Sequence, residues 1–160
     1  MPNYYNPVKI VHTNDWINEL KISIKDSNLS NPIIISSPGN CKRLNINSIF
    51  NSESVFLQKT SNPTINNCNE IINFCKKDEY DGVIAIGGGS VMDLSKVIIA
   101  YLCLGIENVK ELINFRNPYP KRISSIFVPT THGTASEVTM WGTIWDMKQK
   151  ALSLKKTMEL

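Results

Sequence analysis

Apolar and polar positions along this chain fall into blocks whose spacing predicts an alternation of strands and helices. Pro32 to Ser37 is an apolar stretch rich in β-branched residues, and its stop at Pro38-Gly39 predicts a buried strand. A short, weakly patterned helix follows near Cys41 to Ile49, and Ser54 to Lys59 reads as a second strand ended by Asn62-Pro63. Thr64 can cap a helix in which Ile65, Cys68, Ile71, Ile72 and Cys75 recur at helical spacing. Gly82-Val83-Ile84-Ala85-Ile86 reads as a third strand. It is followed by a helix from Ser90 to about Leu104, with Val91, Leu94, Val97, Ile98 and Tyr101 turned inward. After a loop through Asn117-Pro118, Ile123 to Val128 predicts a fourth strand, and Met140 to Asp146 an antiparallel one turning at Met147-Lys148. The order β-α-β-α-β-α-β predicts an α/β fold, a Rossmann-like parallel sheet with helices on both faces. No internal repeat, low-complexity stretch or linker interrupts it.

The chemistry gathers where strands end. Gly87-Gly88-Gly89-Ser90 closes the third strand and opens the helix after it. Glycines let a backbone approach an anion closely, and a helix start offers unpaired N–H groups at the positive end of its dipole. Ser90 suits the N-cap, and Asp93 three residues on gives a capping-box-like spacing. The alternative is a glycine-rich turn that binds nothing. The fingerprint G-x-G-x-x-G is not met, because Met92 holds its sixth place, and Glu107 follows a helix rather than ending a second strand. The fourth strand runs into Pro129-Thr130-Thr131-His132-Gly133-Thr134-Ala135-Ser136-Glu137-Val138-Thr139. Hydroxyls this dense can bond a ribose, a phosphate or a carboxamide, or form an ordinary polar loop. Two such loops at the carboxyl ends of strands predict a ligand crevice there.

Composition narrows the setting. The chain has 160 residues, 42% of them apolar, enough for the core of one domain. Its longest apolar run, Val97 to Ile106, is too short to span a bilayer, and Met1-Pro2-Asn3-Tyr4-Tyr5 lacks the features of a secretory signal. Cys41, Cys68, Cys75 and Cys103 form no C-x-x-C pair and read as buried thiols of a reducing cytoplasm. A net charge of +3 with scattered lysines argues against a nucleic-acid surface. Trp141 and Trp145, at alternating spacing, predict one packed sheet face rather than a substrate box.

Gly-Gly-Gly-Ser-Val-Met-Asp-Leu-Ser-Lys at 87–96 and Pro-Thr-Thr-His-Gly-Thr-Ala-Ser-Glu-Val-Thr at 129–139 resemble the two N-terminal signatures of iron-containing (group III) alcohol dehydrogenases. The spacing between them and Asn62-Pro63-Thr64 ahead of them fit as well. Tyr4-Tyr5-Asn6-Pro7-Val8-Lys9-Ile10, Ser36-Ser37-Pro38-Gly39 and Trp141-Gly142-Thr143-Ile144-Trp145-Asp146 look most like the phosphonoacetaldehyde reductase branch. The resemblance runs from about residue 4 to 150. It implies an NAD(P)-binding domain over 1–150 and an altered or truncated tail over 151–160, with the family's helical metal-binding domain absent.

The resemblance also implies roles. The turn Gly87, Gly88, Gly89 and Ser90 would receive the pyrophosphate of NADH or NADPH, with Asn62 close by. Ser37 would meet the adenosine ribose, and since a serine, unlike an Asp, does not repel a 2′-phosphate, NADPH is admitted. Asp93 would sit near the nicotinamide, or serve only as a cap. Thr130, Thr131, Ser136 and Thr139 would contact ribose and nicotinamide, and Lys150 a ribose hydroxyl. Lys96 matches the motif, yet a helix lysine is ordinarily a solvated charge. His132, where most relatives carry a small residue, is left as a bystander, a phosphonate contact or a proton donor. The family's divalent iron or zinc is held by an Asp and three histidines of its C-terminal domain, whereas this chain has only His12 and His132. The expected chemistry is aldehyde reduction or alcohol oxidation, with this chain as the cofactor-binding half and inactive alone. The implied partners are the dinucleotide, a small aldehyde or alcohol and a second copy of the chain; neither nucleic acid nor membrane is expected. A non-catalytic nucleotide-binding module remains an alternative. So does a relative of dehydroquinate synthase or glycerol-phosphate dehydrogenase.

Overall fold

The structure is a computed structural model that describes residues 8–113, 115, 117, 119–146 and 149–155, without the side chains of 113 and 149–155. The elements are α1 (Trp16–Asp26), β1 (Pro32–Ser36), α2 (Pro38–Arg43), β2 (Val55–Leu57), α3 (Ile65–Cys75) and β3 (Gly82–Gly87). They continue with α4 (Gly89–Leu104), α5 (Lys110–Ile113), β4 (Ser124–Pro129), β5 (Trp141–Asp146) and β6 (Gln149–Lys155). Strands β1 to β4 form one parallel sheet in the order β2-β1-β3-β4, while β5 and β6 form a separate antiparallel pair.

Both faces of the sheet are covered, so the central strands are apolar at every position rather than at alternate ones. Ile33 and Ile35 of β1 and Val83 and Ala85 of β3 pack with Cys68, Ile71 and Ile72 of α3 and with Leu94, Val97 and Ile98 of α4. Ile34, Ile84 and Ile86, one step along the pleat, face the opposite side, where Leu20 of α1, Cys41 of α2 and Ile46 pack. The parallel sheet with helices on both faces is therefore as the periodicity predicts. Because α2 crosses on one face and α3 on the other, the chain reverses direction between β1 and β3. That is the switch point at which open α/β sheets form a crevice.

Thr64 caps α3 in a full capping box: its hydroxyl accepts from Asn67 N at 3.2 Å, and Asn67 Oδ1 accepts from Thr64 N at 3.2 Å. Replacing Thr64 by Ala should cost about 1 kcal/mol, seen as a lowered unfolding midpoint in urea at unchanged slope. All four cysteines are buried, and none is in a disulfide. No helix among the described residues is long and apolar enough to cross a membrane.

Several elements differ from the sequence pattern. Helix α1 was not anticipated, although Asp15 caps it through Asn18 N and Trp16, Leu20 and Ile24 recur every fourth residue toward the core. The segment expected as one helix over 41–49 is α2, begun by a Ser37 cap and Pro38, and then a 3-10 turn at Ile46–Ser48. Helix α4 begins at Gly89 with Gly88 as its N-cap, so Ser90 is not the cap. Strand β3 runs one residue further than expected, which places Ser90 inside the first turn, where its hydroxyl donates to the carbonyl of Ser61. Asp93 is then too far along the helix to close a capping box. Along α4, Val91, Leu94, Val97 and Ile98 are buried, with Tyr101 half-buried. Trp141 and Trp145 do not form a packed face: they are 46% and 40% exposed. Gly142 and Ile144, on the other side of the pleat, are the positions that turn inward, Gly142 lying against the backbone of Asp93 and the Lys96 stem. The turn at Met147-Lys148 lies outside the described residues.

Candidate functional site

The site is assembled at the carboxyl ends of β1, β3 and β4. Strands β3 and β4 end level, with Thr130 N donating to the carbonyl of Gly87 at 2.9 Å. Beyond that bond the chain splits into the glycine turn and the hydroxyl-rich loop, which lie against each other. A Cβ on Gly88 would fall 2.7 Å from Thr131 Oγ1, and one on Gly89 would fall 2.9 Å from Thr134 Cγ2. Neither distance is a normal contact, so the two loops approach this closely only because both positions lack a side chain. Gly88 itself is extended, at φ −91° and ψ −170°, so close approach and not backbone twist is what requires glycine there. No side chain caps α4. Val91 N and Met92 N both donate to the Gly88 carbonyl, so the amides of Gly89 and Ser90 are the first-turn donors without a partner inside the helix, at the positive end of its dipole.

Around this turn each neighbouring loop is tied down. Ser37 caps α2, accepting from Asn40 N at 3.2 Å, and the Asn40 side chain donates to Thr130 Oγ1 at 3.0 Å. Arg43 donates to Asn40 Oδ1 at 2.9 Å, which completes a line from α2 to the loop after β4. Asn62 is exposed in the loop after β2, its carbonyl accepting from Thr60; the neighbouring Ser61 is the residue that meets Ser90. Trp145 N donates to the Pro63 carbonyl at 2.8 Å, anchoring β5 to the same loop. An open cavity of about 280 Å³ lies along the loop after β4 and is lined by its residues Pro129, Thr130, Thr131, His132, Gly133, Ala135 and Glu137. His132 is exposed at the loop tip.

Asp93, Ser136 and Thr139 are brought together, and the residue that joins them is Lys96. Expected as a solvated charge, Lys96 is instead only 6% exposed. Its ammonium donates to Ser136 Oγ at 2.8 Å, to Thr139 Oγ1 at 3.2 Å and to the carbonyl of Trp141, and lies 3.6 Å from Asp93 Oδ1. Asp93 accepts from Ser136 Oγ at 2.5 Å and from Thr143 N at 3.1 Å, which is what occupies its carboxylate in place of a cap. Burial pushes the Lys96 ammonium below the ordinary lysine value, and Asp93, with Glu137 further off, pulls it back only in part. Residue type alone gives no sign of this, since a helix lysine is commonly solvent-facing. Only the packing of the loop and β5 over the second turn of α4 encloses it. Thr131 lines the cavity, whereas Lys150 has its backbone in β6 and its side chain outside the description. Asn40 and Arg43 were missed, being polar residues without a motif of their own, and Thr134, though inside the hydroxyl-rich loop, was given no role.

Among the described residues no group of three or more His, Cys, Asp or Glu stands close enough to hold a metal ion. A family iron or zinc therefore does not fit these residues.

Residues 7–159 match the family model described as iron-containing alcohol dehydrogenase. Choline dehydrogenase of Bacillus subtilis (strain 168) is 31% identical over 137 residues, 76% of this chain and 33% of that protein. Alcohol dehydrogenase 4 of Schizosaccharomyces pombe is 29% identical over 132 residues, 76% of this chain and 30% of that protein. The chain thus spans about a third of the length of these curated relatives. Among solved structures, sulfoacetaldehyde reductase from Bifidobacterium kashiwanohense, crystallised with NAD+, has a like fold. The TM-score is 0.83 at 24% identity over 97% of this chain and 43% of that one. With the two loop signatures meeting at one helix start and a family match over nearly its whole length, this chain belongs to the iron-containing alcohol dehydrogenase family.

Proposed function

We propose that the crevice binds NADH or NADPH and that residues 1–150 are the cofactor-binding half of an aldehyde reductase or alcohol dehydrogenase. The observation that carries this reading is the uncapped start of α4 at the β1/β3 switch point, with glycines at the two positions where the hydroxyl loop comes closest. The first-turn amides of α4 would receive the pyrophosphate, and no carboxylate is needed there to complete the helix start. Ser37 would face the adenosine ribose, and Thr130 and Thr131 would reach the ribose and nicotinamide end. When bound, the nicotinamide supplies a hydride to a carbonyl carbon, while the protein contributes binding and orientation. The NAD+-bound structural neighbour acts on an aldehyde bearing a charged sulfonate. That supports a short aldehyde with an anionic tail as substrate, phosphonoacetaldehyde being the one we propose. Four buried cysteines, none in a disulfide, accord with a reducing compartment, and we assign the protein to the cytoplasm.

The test is a titration of NADH and NADPH followed by nicotinamide fluorescence, with saturable binding as the expected result. NADPH should bind at least as tightly as NADH, because no carboxylate stands at Ser37 to repel a 2′-phosphate. Ser37→Asp should shift preference toward NADH while leaving α2 intact, since Asp caps a helix as well as Ser does. A native chain with a strong NADH preference, or an Asp variant with unaltered preference, would contradict this assignment.

A further inference from the structure

The clamp formed by Lys96 has a consequence beyond its own hydrogen bonds. All three hydrogens of its ammonium are directed at acceptors in segments distant in sequence: Ser136 and Thr139 in the loop after β4, and the Trp141 carbonyl at the start of β5. The first of these segments lines the cavity, yet none of the three acceptors does. The loop also contains a residue held against its preference, for Ala135 has φ +48° and no side chain caps the 3-10 turn Ser136–Val138 that follows. A non-glycine residue stays in that region only where its surroundings over-determine it. Next to Ala135 stands the Lys96–Ser136–Asp93 triangle. By contrast, the Gly87–Ser90 turn is held from its other side, through Ser61 and through the start of α4 itself.

We propose that Lys96 is a positioning residue: by clamping Ser136, Thr139 and the Trp141 carbonyl onto α4, it sets the form of the loop after β4 and thereby the affinity of the crevice for the nicotinamide half of a dinucleotide, without touching it. This rests on the reading of the crevice as an NAD(P)H site. It separates two parts of that site, the phosphate turn being independent of Lys96 and the hydroxyl loop dependent on it. The clamp is also linked to the proton of Lys96. The charged groups acting on Lys96 are Asp93 on its own helix and Glu137 on the 3-10 turn, while β5 presents the Trp141 carbonyl. Burial lowers the affinity of Lys96 for its proton by more than these partners raise it, so the closed loop holds the proton less tightly than an opened, solvated one. By linkage the clamp should hold at least as firmly as pH rises toward the ordinary lysine range.

The experiment compares NADH with ADP, which carries the adenine and pyrophosphate but no nicotinamide, on the native chain and on Lys96→Met. The variant should lose about tenfold or more in NADH affinity and less than about twofold for ADP. In the native chain the ratio of NADH to ADP affinity should hold or rise between pH 7 and 10.5, and in Lys96→Met it should stay flat. A general loss of structure would weaken both ligands together, so equal losses, or no loss for NADH, would overturn the proposal. Amide hydrogen exchange judges the clamp without any nucleotide. Protection in Lys96→Met should fall across 130–146 and hold in β1 and α3, and a uniform fall or none at all would overturn it. A native chain that binds neither ligand would sink the cofactor reading, leaving the exchange result to decide the clamp. If Lys96→Met does not fold, the native pH series decides it, a falling ratio counting against.

Discussion

Replacing Gly89 by Val should weaken NADH and NADPH by at least about tenfold, or ~1.4 kcal/mol, in a chain that still folds. The structure gives this expectation two physical sources. A side chain at position 89 would stand at the first residue of α4, where an anion would approach the amides. Its Cβ would also fall 2.9 Å from Thr134 Cγ2, so the hydroxyl loop would have to move away from the turn. Thr134 is exposed and can yield, which is why the loss should appear in ligand affinity far more than in stability. Circular dichroism and a thermal melt establish folding, and nicotinamide fluorescence gives the affinity. Unchanged binding in a folded variant would falsify the placing of the pyrophosphate at this turn.

Removing Asp93 should have the largest effect on stability of any single change in the site. Asp93→Ala leaves the Lys96 ammonium buried without its counter-charge and takes the acceptor from Ser136 and Thr143. Breaking a buried pair by deleting one partner costs roughly 3–5 kcal/mol; the low end, about 3, applies here because the Asp93 side chain keeps 18% exposure. For a chain of this size that is a fall of about 6–12 °C in Tm. The loss should depend on pH in a direction fixed by linkage. Lys96 already titrates below the ordinary lysine value in the folded protein, and without Asp93 it moves lower still. The unfolded chain then binds a proton that the folded chain does not, so stability contributed by this group rises with pH across that window. The penalty of Asp93→Ala should therefore be full at pH 7 and smaller near pH 10. Asp93→Asn, which keeps an oxygen acceptor, should lose less. A penalty that grows with pH would show that the lysine is not buried as described.

How far the sequence reveals this protein differs from element to element. The central strands were legible because β1 and β3 are buried on both faces, which forces runs such as Ile33-Ile34-Ile35 and Val83-Ile84-Ala85-Ile86. Helix α3 was legible because its apolar stripe and Thr64 cap agree. The two cofactor-loop motifs were legible because glycines and hydroxyls are needed locally, wherever the rest of the chain lies. The start of α4 was misjudged by a residue or two because Ser and Gly can both cap, and the choice between them was made by how far β3 stays paired to β4. The faces of β5 were misjudged because period-2 spacing shows that Trp141 and Trp145 share a side but not which side. Gly142 and Ile144 take the side of β5 that lies against the core and α4, which leaves both tryptophans on the outward side.

The sequence by itself determined the alternation of strands and helices, the parallel sheet and the two loops at its edge, since each follows from local periodicity and local turn chemistry. Only the tertiary structure decided which polar groups those loops leave available. Lys96 and Asp93 are three residues apart on a helix, a spacing equally suited to a solvated surface pair. They became a buried clamp because a loop 40 residues away and the start of β5 close over them and supply the acceptors that a desolvated ammonium requires.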